Sequence, residues 1–288
     1  MDYKWYFKTV LLSMLIALQG CSAVKGTTSA LFGPSEDEVK LTPRTSTYND
    51  LKSLPSPRGK IVATVYSFRD QSGQYKAAPA SSFSTAVTQG ATAMLIGAMQ
   101  DSGWFVPLER EGLQNILTER KIIRAAQKKP NTPINNDVAL PSLLAANIML
   151  EGGIIGYDSN IQTGGLGARY FGIGVSEQYR VDQVTVNLRA VDVRTGRILH
   201  SVMTTKSIMS REISSGVFRF IEFERLLELE AGTTSNEPKQ LCVLAAIESA
   251  LLHLIAQGVK EKSWGLQDPS QINSPTLQFY MNAPQKII

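Results

Sequence analysis

Residues 184–190 read VTVNLRA, and residues 156–163 read GYDSNIQT. In both segments the side chains alternate in character at every step, and a period of two places successive side chains on opposite faces of a strand. One face carries Val184, Val186, Leu188 and Ala190 in the later segment and Tyr157, Ser159, Ile161 and Thr163 in the earlier one. The other face carries Thr185, Asn187 and Arg189, and Asp158, Asn160 and Gln162. The two segments predict a hairpin with one apolar and one polar face.

The stretch between these two strands, GGLGARYFGIG at 164–174, is rich in glycine. Its Gly165-Leu166-Gly167 begins like a dinucleotide-binding loop. However, Tyr170 stands where the third glycine belongs and no helical pattern follows, so we reject a nucleotide site. The adjacent aromatic residues Tyr170 and Phe171 near a hairpin tip are typical of a bilayer interface.

A second segment, Ser201–Gly232, repeats this plan around GVFRFIEF at 216–223. Its return limb, EFERLLELEA at 222–231, fits a strand with an acidic face and an apolar face, but it fits a helix as well by periodicity, and helix propensity favours the helix. Both alternatives stay open at this point. A soluble sheet with one wet face also explains the two hairpins as well as a membrane barrel does. In the strand alternative the acidic face holds Glu222, Glu224, Glu228 and Glu230, opposite Phe223, Leu227, Leu229 and Ala231.

The segments on either side of the hairpins predict an α+β body. KIVATVYSF at 60–68 is apolar on both faces, which is typical of a buried strand. Asn236 and Pro238 resemble the start of a helix, and the tail after Trp264 is expected to be irregular. Apolar periodicity predicts further helices at Ala86–Met99, closed by Gly103, at Glu109–Gln127 and at Leu140–Ala146. It also predicts a packed helix from a stripe that extends from Leu241 to Val259 and includes Glu248.

The N-terminus has the order of a bacterial lipoprotein signal. Lys4 and Lys8 precede an apolar run, Thr9–Leu18, that is too short to span a bilayer and is followed by Gly20-Cys21. We expect cleavage after residue 20 and lipidation of Cys21, and Ser22 in place of aspartate favours the outer membrane. After the signal no run approaches the ~20 apolar residues of a membrane helix, so any crossing would use strands.

The composition argues against several classes of function. A net charge of +4 is too mild to indicate nucleic-acid binding. The two histidines, His200 and His253, have no His, Cys or carboxylate neighbours at metal-ligand spacing, and the usual hydrolase, zinc-protease and P-loop motifs do not occur. Cys242 lies in an apolar helical stretch and is expected to be a small core residue. The sequence thus favours a structural, binding or transport role over an enzyme.

One aromatic residue, Phe83, stands alone in the small and polar stretch AAPASSFSTAVT at 77–88. Such a side chain either packs against the start of the following helix as a hydrophobic staple or is presented to a ligand. The residues alone leave both alternatives open.

Five long blocks of sequence resemble the curli secretion channel family, outer-membrane lipoproteins that export amyloid fibre subunits. The resemblance extends from about Ser46 to Trp264, and the blocks occur in the same order. They are ASSFSTAVTQGATAML (80–95), SGWFVPLEREGLQNILTERKIIRAAQ (102–127), AANIMLEGGIIGYDSNIQTGGLGARYFGIG (145–174), GVFRFIEFERLLE (216–228) and TSNEPKQLCVLAAIE (234–248).

The resemblance implies that nine protomers form a ring in which each gives two hairpins to one 36-stranded transmembrane β-barrel above a periplasmic α+β collar. It implies no nucleotide, metal or other cofactor. The implied partners are further copies of the chain, curli subunits as substrate, a periplasmic accessory or capping factor, a surface nucleator and outer-membrane lipid. A closed ring also agrees with physical chemistry, because lipid cannot pair the backbone groups of free edge strands.

The resemblance also assigns roles to single residues. In the family, a loop before a helix projects a tyrosine, an asparagine and a phenylalanine into three stacked rings. Phe83 matches the phenylalanine, whereas Ser82 takes the asparagine place and Ala78 the tyrosine place, which implies a wider or less selective gate. The face with Phe223 and Leu227 would meet lipid. The lumen would be lined by Glu222, Glu224, Glu228 and Glu230.

We therefore expect passive export of unfolded curli subunits through a lipid-anchored outer-membrane channel. A soluble periplasmic lipoprotein that scaffolds envelope machinery is the alternative. The expected division of the chain is a signal at 1–20, a lipidated tether at 21–59, a periplasmic α+β domain at 60–154 with a constriction loop at 76–84, transmembrane hairpins at 155–192 and 200–235 joined by a periplasmic connection at 193–199, and a C-terminal helix and tail at 236–288.

Overall fold

The computed structural model describes residues 41–75, 85–127, 140–162, 168–170, 173–222, 225–236 and 239–284. The helices are α1 (Ser46–Lys52), α2 (Ala91–Ser102), α3 (Leu113–Gln127), α4 (Lys239–Lys260) and α5 (Pro275–Met281), with a 3₁₀ turn at Pro269–Asn273. The strands are β1 (Ile61–Val65), β2 (Phe68–Asp70), β3 (Phe105–Glu109), β4 (Ile148–Gln162), β5 (Ala168–Tyr170), β6 (Ile173–Asp192), β7 (Ile198–Glu222) and β8 (Arg225–Asn236).

All of these strands belong to one mixed sheet with the order β3-β1-β4-β6-β7-β8. The short strands β1, β2 and β3 pair in parallel, β1 with both β3 and β4, and β2 with β4. From β4 onward the pairing is antiparallel, and β5 is added to β6. β7 is 25 residues long, whereas an ordinary strand has about 5–6. The sheet therefore joins a compact α/β part to long antiparallel ribbons.

The base of these ribbons lies in the hydrophobic core. Val184, Val186, Leu188 and Ala190 are fully buried and belong to one cluster with the apolar residues of α4, which packs on β6 and β7. The predicted apolar face of 184–190 is confirmed, but a helix covers it. The residues at the base of the hairpins predicted at 155–192 and 200–235, among them Tyr157, 184–190 and Val202, thus belong to the α/β body.

Helix α4 is the central helix of this core. Among the described helices it alone is long and apolar enough, over Gln240–Lys260, to cross a bilayer by length and composition, contrary to the expectation from sequence that no such run exists. Most of that stretch is buried inside the protein, including Cys242, Ile247 and Leu251, which have no exposed surface. We therefore assign α4 to the core, where Cys242 is a buried residue as predicted.

Two glycines allow β2, β4 and β6 to meet. Gly152 has φ +152°, and a Cβ there would lie 2.0 Å from the carbonyl oxygen of Asn187. A Cβ on Gly153 would lie 2.5 Å from the carbonyl oxygen of Arg69. The register of β4 against β6 then shifts between Ile154 and Gly156. Such a bulge bends a strand and increases its twist, so β4 changes direction where it leaves the body.

The folded body begins earlier in the chain than predicted. Residues 46–52, assigned to the tether from sequence, form α1, whose N-cap Thr45 accepts a hydrogen bond from the Tyr48 N–H (3.2 Å). Leu51 of this helix has no exposed surface. Pro57 forms an isolated bridge with Leu266. The prediction of a tether to residue 59 is therefore wrong from Arg44 onward, because burial of Leu51 and capping by Thr45 fold this segment onto the body.

The short helix predicted at Leu140–Ala146 is wrong, because these residues have no regular structure. Arg110 donates to the carbonyl oxygen of Leu144 (2.7 Å), and Arg120 donates to that of Pro141. A helix this short has only marginal stability by itself. In this segment, arginine side chains bind the backbone carbonyl groups instead.

The tail after Trp264 is ordered, contrary to prediction. Asp268 accepts a hydrogen bond from the Ser270 N–H (2.9 Å) and starts the 3₁₀ turn, and Pro275 starts α5. α5 buries Leu277 and Tyr280. Two smaller differences concern helix starts: α2 begins at Ala91 and α3 at Leu113, while Gly103 closes α2 in the left-handed region (φ +70°) as predicted.

The ambiguous limb 222–231 is a strand in the described part, since β7 ends at Glu222 and β8 begins at Arg225. β8 pairs with β7 from Glu222 back to Ser210. Helix propensity describes the segment alone and does not include this pairing with β7, which makes the segment a strand.

Candidate functional site

The predicted constriction residues Phe83, Ser82 and Ala78 lie in 76–84, outside the described residues, but the structure describes both ends of this segment. Tyr75 and Thr85 form an antiparallel bridge. Next to it, the Ala86 N–H donates to the carbonyl oxygen of Gln74 (2.9 Å). The two ends of the segment are therefore held side by side. We call this pair of ends, Gln74–Tyr75 with Thr85–Ala86, the loop neck.

The chain that enters the loop neck is fixed to the sheet. The Gln71 N–H donates to the carbonyl oxygen of Ile154 (2.8 Å), which extends the pairing of β2 with β4. The Asp70 carboxylate then accepts from the N–H (2.9 Å) and the hydroxyl (2.6 Å) of Ser72. This turn directs the chain away from β2 and toward the neck.

The chain that leaves the neck is fixed to the same strand through Thr92. The buried Thr92 hydroxyl accepts from the Phe68 N–H (2.9 Å) and donates to the Phe68 carbonyl oxygen (3.1 Å). Val87, between the neck and α2, is also buried. Both sides of the neck are thus attached to β2, so the neck itself cannot move away from β2 without breaking these contacts.

The neck belongs to the side of the sheet that the helices cover. α2 packs on α4 and on β2, and α4 packs on β6 and β7. The Thr204 hydroxyl donates to the Ala246 carbonyl oxygen (2.9 Å) and joins β7 to α4. Ala86 and Val87, where the chain leaves the neck, pack in this same core, so this end of the neck lies on the helical side.

The opposite side of the sheet base is open and polar. Arg189 donates to the Glu151 carboxylate (2.8 Å) from β6 to β4. The hydroxyls of Thr185 and Thr205 lie 3.1 Å apart across β6 and β7. Met203 on β7 exposes 62% of its surface. The side that the helices leave uncovered therefore suits contact with water.

The predicted acidic row lies at the far end of the ribbons. Glu228 is registered opposite Phe218 and Glu230 opposite Gly216. Glu222 is the last residue of β7 and is registered opposite Arg225, beyond a register shift. Glu224 lies outside the described residues. The register places Glu228 and Glu230 on the same face of the ribbon. The register shift lies between these two residues and Glu222, so the alternation of faces is interrupted there. Sequence periodicity could not reveal this shift.

A polar cluster that the sequence analysis missed connects α1 to the body. The hydroxyls of Thr45 and Thr47 both donate to the Glu248 carboxylate on α4, and Glu248 has 1% of its surface exposed. Burial raises the pKa of Glu248 above its usual 4.5, and the two threonine hydrogen bonds oppose this rise. Periodicity placed Glu248 on the packed stripe of α4. A glutamate in that stripe was the available signal of a buried polar partner.

A second contact of this cluster joins α1 to α5. The Tyr280 hydroxyl donates to the Asp50 carboxylate (2.6 Å). Burial, followed by this carboxylate, raises the pKa of Tyr280. The Arg44 guanidinium lies 3.0 Å from the Asp101 carboxylate of α2. α1 is thus bound to three other helices within a few residues of the start of the body.

The described residues offer little that suggests catalysis. They contain no group of three or more His, Cys, Asp or Glu side chains that could hold a metal ion. His200 is buried against the indole of Trp264, with ring centroids 5.5 Å apart, and burial lowers its pKa. Its Nε2 has no hydrogen-bond partner in the described part of the chain. The predicted lipidation site, Cys21, lies outside that part.

Comparison with known proteins identifies the family. The family model "Curli production assembly/transport component CsgG" matches residues 44–283. The protein of that name from Escherichia coli K12 is 52% identical over 272 residues, which cover 94% of this chain and 95% of that protein. The corresponding protein of Citrobacter koseri is 52% identical over 275 residues, covering 95% and 96%.

A solved PelC dodecamer from Paraburkholderia phytofirmans is 11% identical and covers 69% of this chain and 89% of that one. Its TM-score of 0.25 is too low to support any statement about this chain. The family match, by contrast, begins at the first residue of the folded body and includes the loop neck, the long ribbons and α4. On that match, the chain belongs to the CsgG family of curli production assembly/transport components.

Proposed function

We propose that this chain forms an outer-membrane secretion channel that passively exports unfolded curli subunits, lipid-anchored through Cys21 and assembled as a ring of nine copies. The observation that carries the proposal is the register of the long ribbons, which separates their positions into a polar set and an apolar set. The family membership supports curli transport as the general activity.

The polar set continues from the helical side of the sheet. β7 pairs with β6 without a register shift from His200 to Val217, so alternate positions that begin at the buried Val202 stay on one side. Farther along, this set contains mainly polar residue types, which suit a water-filled lumen. Its members, grouped by their registered partners, are Asp182 with Ile208, Arg180 with Ser210, Gln178 with Glu212 and Thr234, Ser176 with Ser214 and Gly232, Gly216 with Glu230, and Phe218 with Glu228.

The apolar set continues from the open side of the sheet. It contains more apolar than polar residue types, which suits contact with lipid. Its members, from the body outward, are Gln183 with Ser207, Val181 with Met209, Tyr179 with Arg211 and Ser235, Glu177 with Ile213 and Thr233, Val175 with Ser215 and Ala231, Ile173 with Val217 and Leu229, and Arg219 with Leu227. The lumen would therefore be on the side of α4, which is also the side of the loop neck. A loop that narrows the pore has to be on that side, so the two features support each other.

The free edges of the sheet support a ring. Within the described residues β8 pairs only with β7, and β4 beyond Ile154 pairs only with β6. In a bilayer, both edges must find a partner, since unpaired backbone groups in hydrocarbon cost several kcal/mol each. Pairing of β8 from one copy with β4 of the next closes the sheet and makes spanning and assembly one event.

The membrane-spanning parts are shorter than the hairpins predicted from sequence. Because Tyr157, Val184 and Val202 are buried in the α/β core, we place the start of the spanning parts beyond these residues. The polar base with Arg189 and Glu151 would then face water beneath the membrane. The direction of export would come from diffusion and from folding of the subunits outside the cell, with a periplasmic accessory factor and a surface nucleator as partners.

The test is native mass spectrometry of the full-length protein extracted from outer membranes in mild detergent, followed by single-channel recording. We expect a mass of nine protomers and a conducting pore, and Phe83→Ala should keep that mass while raising the conductance and changing export. A monomer under gentle extraction would contradict the channel and favour a soluble scaffold. A misfolded Phe83→Ala variant would instead assign Phe83 to helix packing.

A further inference from the structure

A cavity of about 420 Å³ opens where the end of α4 meets the chain that leads into β1. Ligand-binding cavities of proteins commonly measure about 300–1,000 Å³, so its size suits a small molecule. Its two walls are residues 57–59 and residues 262–265, and the indoles of Trp104 and Trp264 also line it. In the described part of the chain its lining residues belong neither to the loop neck nor to the long ribbons.

Backbone hydrogen bonds hold the two walls of the cavity together. The Arg58 N–H donates to the carbonyl oxygen of Gly265 (2.8 Å), and the Gln267 N–H donates to that of Ser56 (2.9 Å). The walls therefore have a fixed separation before any ligand binds, which lowers the entropic cost of binding.

Two cationic side chains, Arg58 and Lys262, border the cavity from opposite walls and are exposed to solvent. Within the described residues neither side chain forms an ion pair or a hydrogen bond. The adjacent carboxylate, that of Glu261, lies 3.6 Å from the Nδ1 of His200 and does not line the cavity. The cavity thus carries positive charge that no described acidic side chain neutralises.

Lys262 has a backbone conformation that disfavours a side chain. Its φ is +60°, and it is the only described residue other than glycine with a positive φ. Helices commonly end with glycine in this left-handed region, because a Cβ there is strained. Residues with such strain are concentrated at functional sites. A ligand that binds the ammonium group of Lys262 would compensate for the strain.

We propose that this cavity binds a small ligand that carries a carboxylate next to an apolar group. The guanidinium of Arg58 is a planar fork that matches both oxygens of a carboxylate, and Lys262 adds a positive charge from the opposite wall. The indoles of Trp104 and Trp264 form an apolar part of the lining. A bare phosphate would use the charges but not the indoles, so the combination favours an amphiphilic carboxylate.

Tryptophan fluorescence of the protein extracted from outer membranes in mild detergent tests this inference. Beyond residue 20 the only tryptophans are the two that line the cavity. The probes are N-acetyl-leucine, which has a carboxylate and an apolar side chain, its uncharged amide N-acetyl-leucinamide, and inorganic phosphate. We expect N-acetyl-leucine alone to change the fluorescence saturably. The measurement requires no conducting pore, so its outcome is independent of the proposed channel.

A Lys262→Gly variant separates ligand binding from stability. It removes the ammonium group but suits the positive φ, so the unfolding midpoint should not fall. Its affinity for N-acetyl-leucine should drop at least about tenfold, which is typical for loss of a hydrogen bond to a charged group. Arg58→Gln should weaken binding to a similar extent. The matched control is Lys60→Gln, at an exposed lysine that does not line the cavity, and its affinity should be unchanged.

Several results would overturn the inference. One is the absence of a saturable change with N-acetyl-leucine, and another is an equal response to its amide or to phosphate. An unaltered affinity in Lys262→Gly would show that the cation at the cavity does not bind the carboxylate. An equal loss of affinity in Lys60→Gln would reduce the effect to the general charge of this surface.

Discussion

Substitution of Gly258 by alanine places a methyl group against the indole of Trp264. A Cβ at this position of α4 would lie 2.2 Å from Cε3, 2.6 Å from Cδ2 and 2.7 Å from Cζ3 of the ring, and real Cβ atoms essentially never approach closer than 3.0 Å. The ring is 8% exposed and is held edge-on by Phe105 (centroids 6.0 Å apart) and His200 (5.5 Å). The methyl group therefore displaces the indole or bends the helix.

Two effects of opposite sign determine the magnitude. Alanine in place of glycine in a helix interior stabilises by about 1 kcal/mol, whereas overpacking a core costs about 1–3 kcal/mol. The indole of Trp264 borders a cavity that Trp104 and Lys262 also line, so it has one direction in which to move. Because an approach of 2.2 Å places the steric cost in the upper part of its range, at about 2–3 kcal/mol, we expect Gly258→Ala to lower the free energy of unfolding by about 1–2 kcal/mol.

The assay is urea unfolding, in mild detergent, of the protein from residue 21 onward, followed by tryptophan fluorescence. Beyond residue 20 the only tryptophans are Trp104 and Trp264, both buried in this region, so the signal reports on this core. Gly97→Ala in α2 is the matched control, because its Cβ would meet nothing within 4 Å and should raise the midpoint. If both variants shift the midpoint upward, the indole moves freely and the steric reasoning is refuted.

Glu248→Gln should remove a dependence of stability on pH: burial raises the pKa of Glu248 above 4.5, so the native state retains its proton and stability falls as pH rises through that raised pKa. As pH rises through this range, the unfolding midpoint of the natural protein should fall relative to that of the variant, and parallel curves would refute this. Leu51→Ala should cost about 2–5 kcal/mol and increase hydrogen exchange in α1 selectively, since Leu51 has no exposed surface; unchanged exchange would mean that α1 is not held by this residue. In the proposed channel, Glu228→Gln combined with Glu230→Gln should lower the cation selectivity, measured as a reversal potential in a salt gradient, and an unaltered potential would contradict the proposal that these residues line the lumen.

The local sequence pattern was sufficient to predict the strands and helices whose apolar residues recur with a regular period. The alternation at 184–190 predicts a strand with one buried face, and the structure buries the four residues of that face. The apolar stripe from Leu241 to Val259 predicts the packed helix α4. In both cases the same face is apolar over many residues, so the prediction needs no knowledge of partners.

Other features depend on contacts that the local sequence does not contain. The limb 222–231 has the propensity of a helix, and only its ladder with β7 makes it a strand. Residues 46–52 look like part of a polar tether, and their folding depends on Glu248 some two hundred positions later. The need for glycine at positions 152 and 153 follows only from the close approach of β2 and β6 in the fold. For the candidate site, the resemblance predicts the loop, whereas the pairing of its ends at Tyr75 and Thr85 follows only from the fold.

The closed neck makes residues 76–84 an exchangeable cassette. Because the bridge between Tyr75 and Thr85 and the bonds of Thr92 hold both ends, we expect the scaffold to keep its stability when the composition of these nine residues changes. Relatives could thus diverge in cargo by drift within this cassette alone. The same arrangement would let an engineer graft loops of other chemistry onto an unaltered neck, one residue at a time.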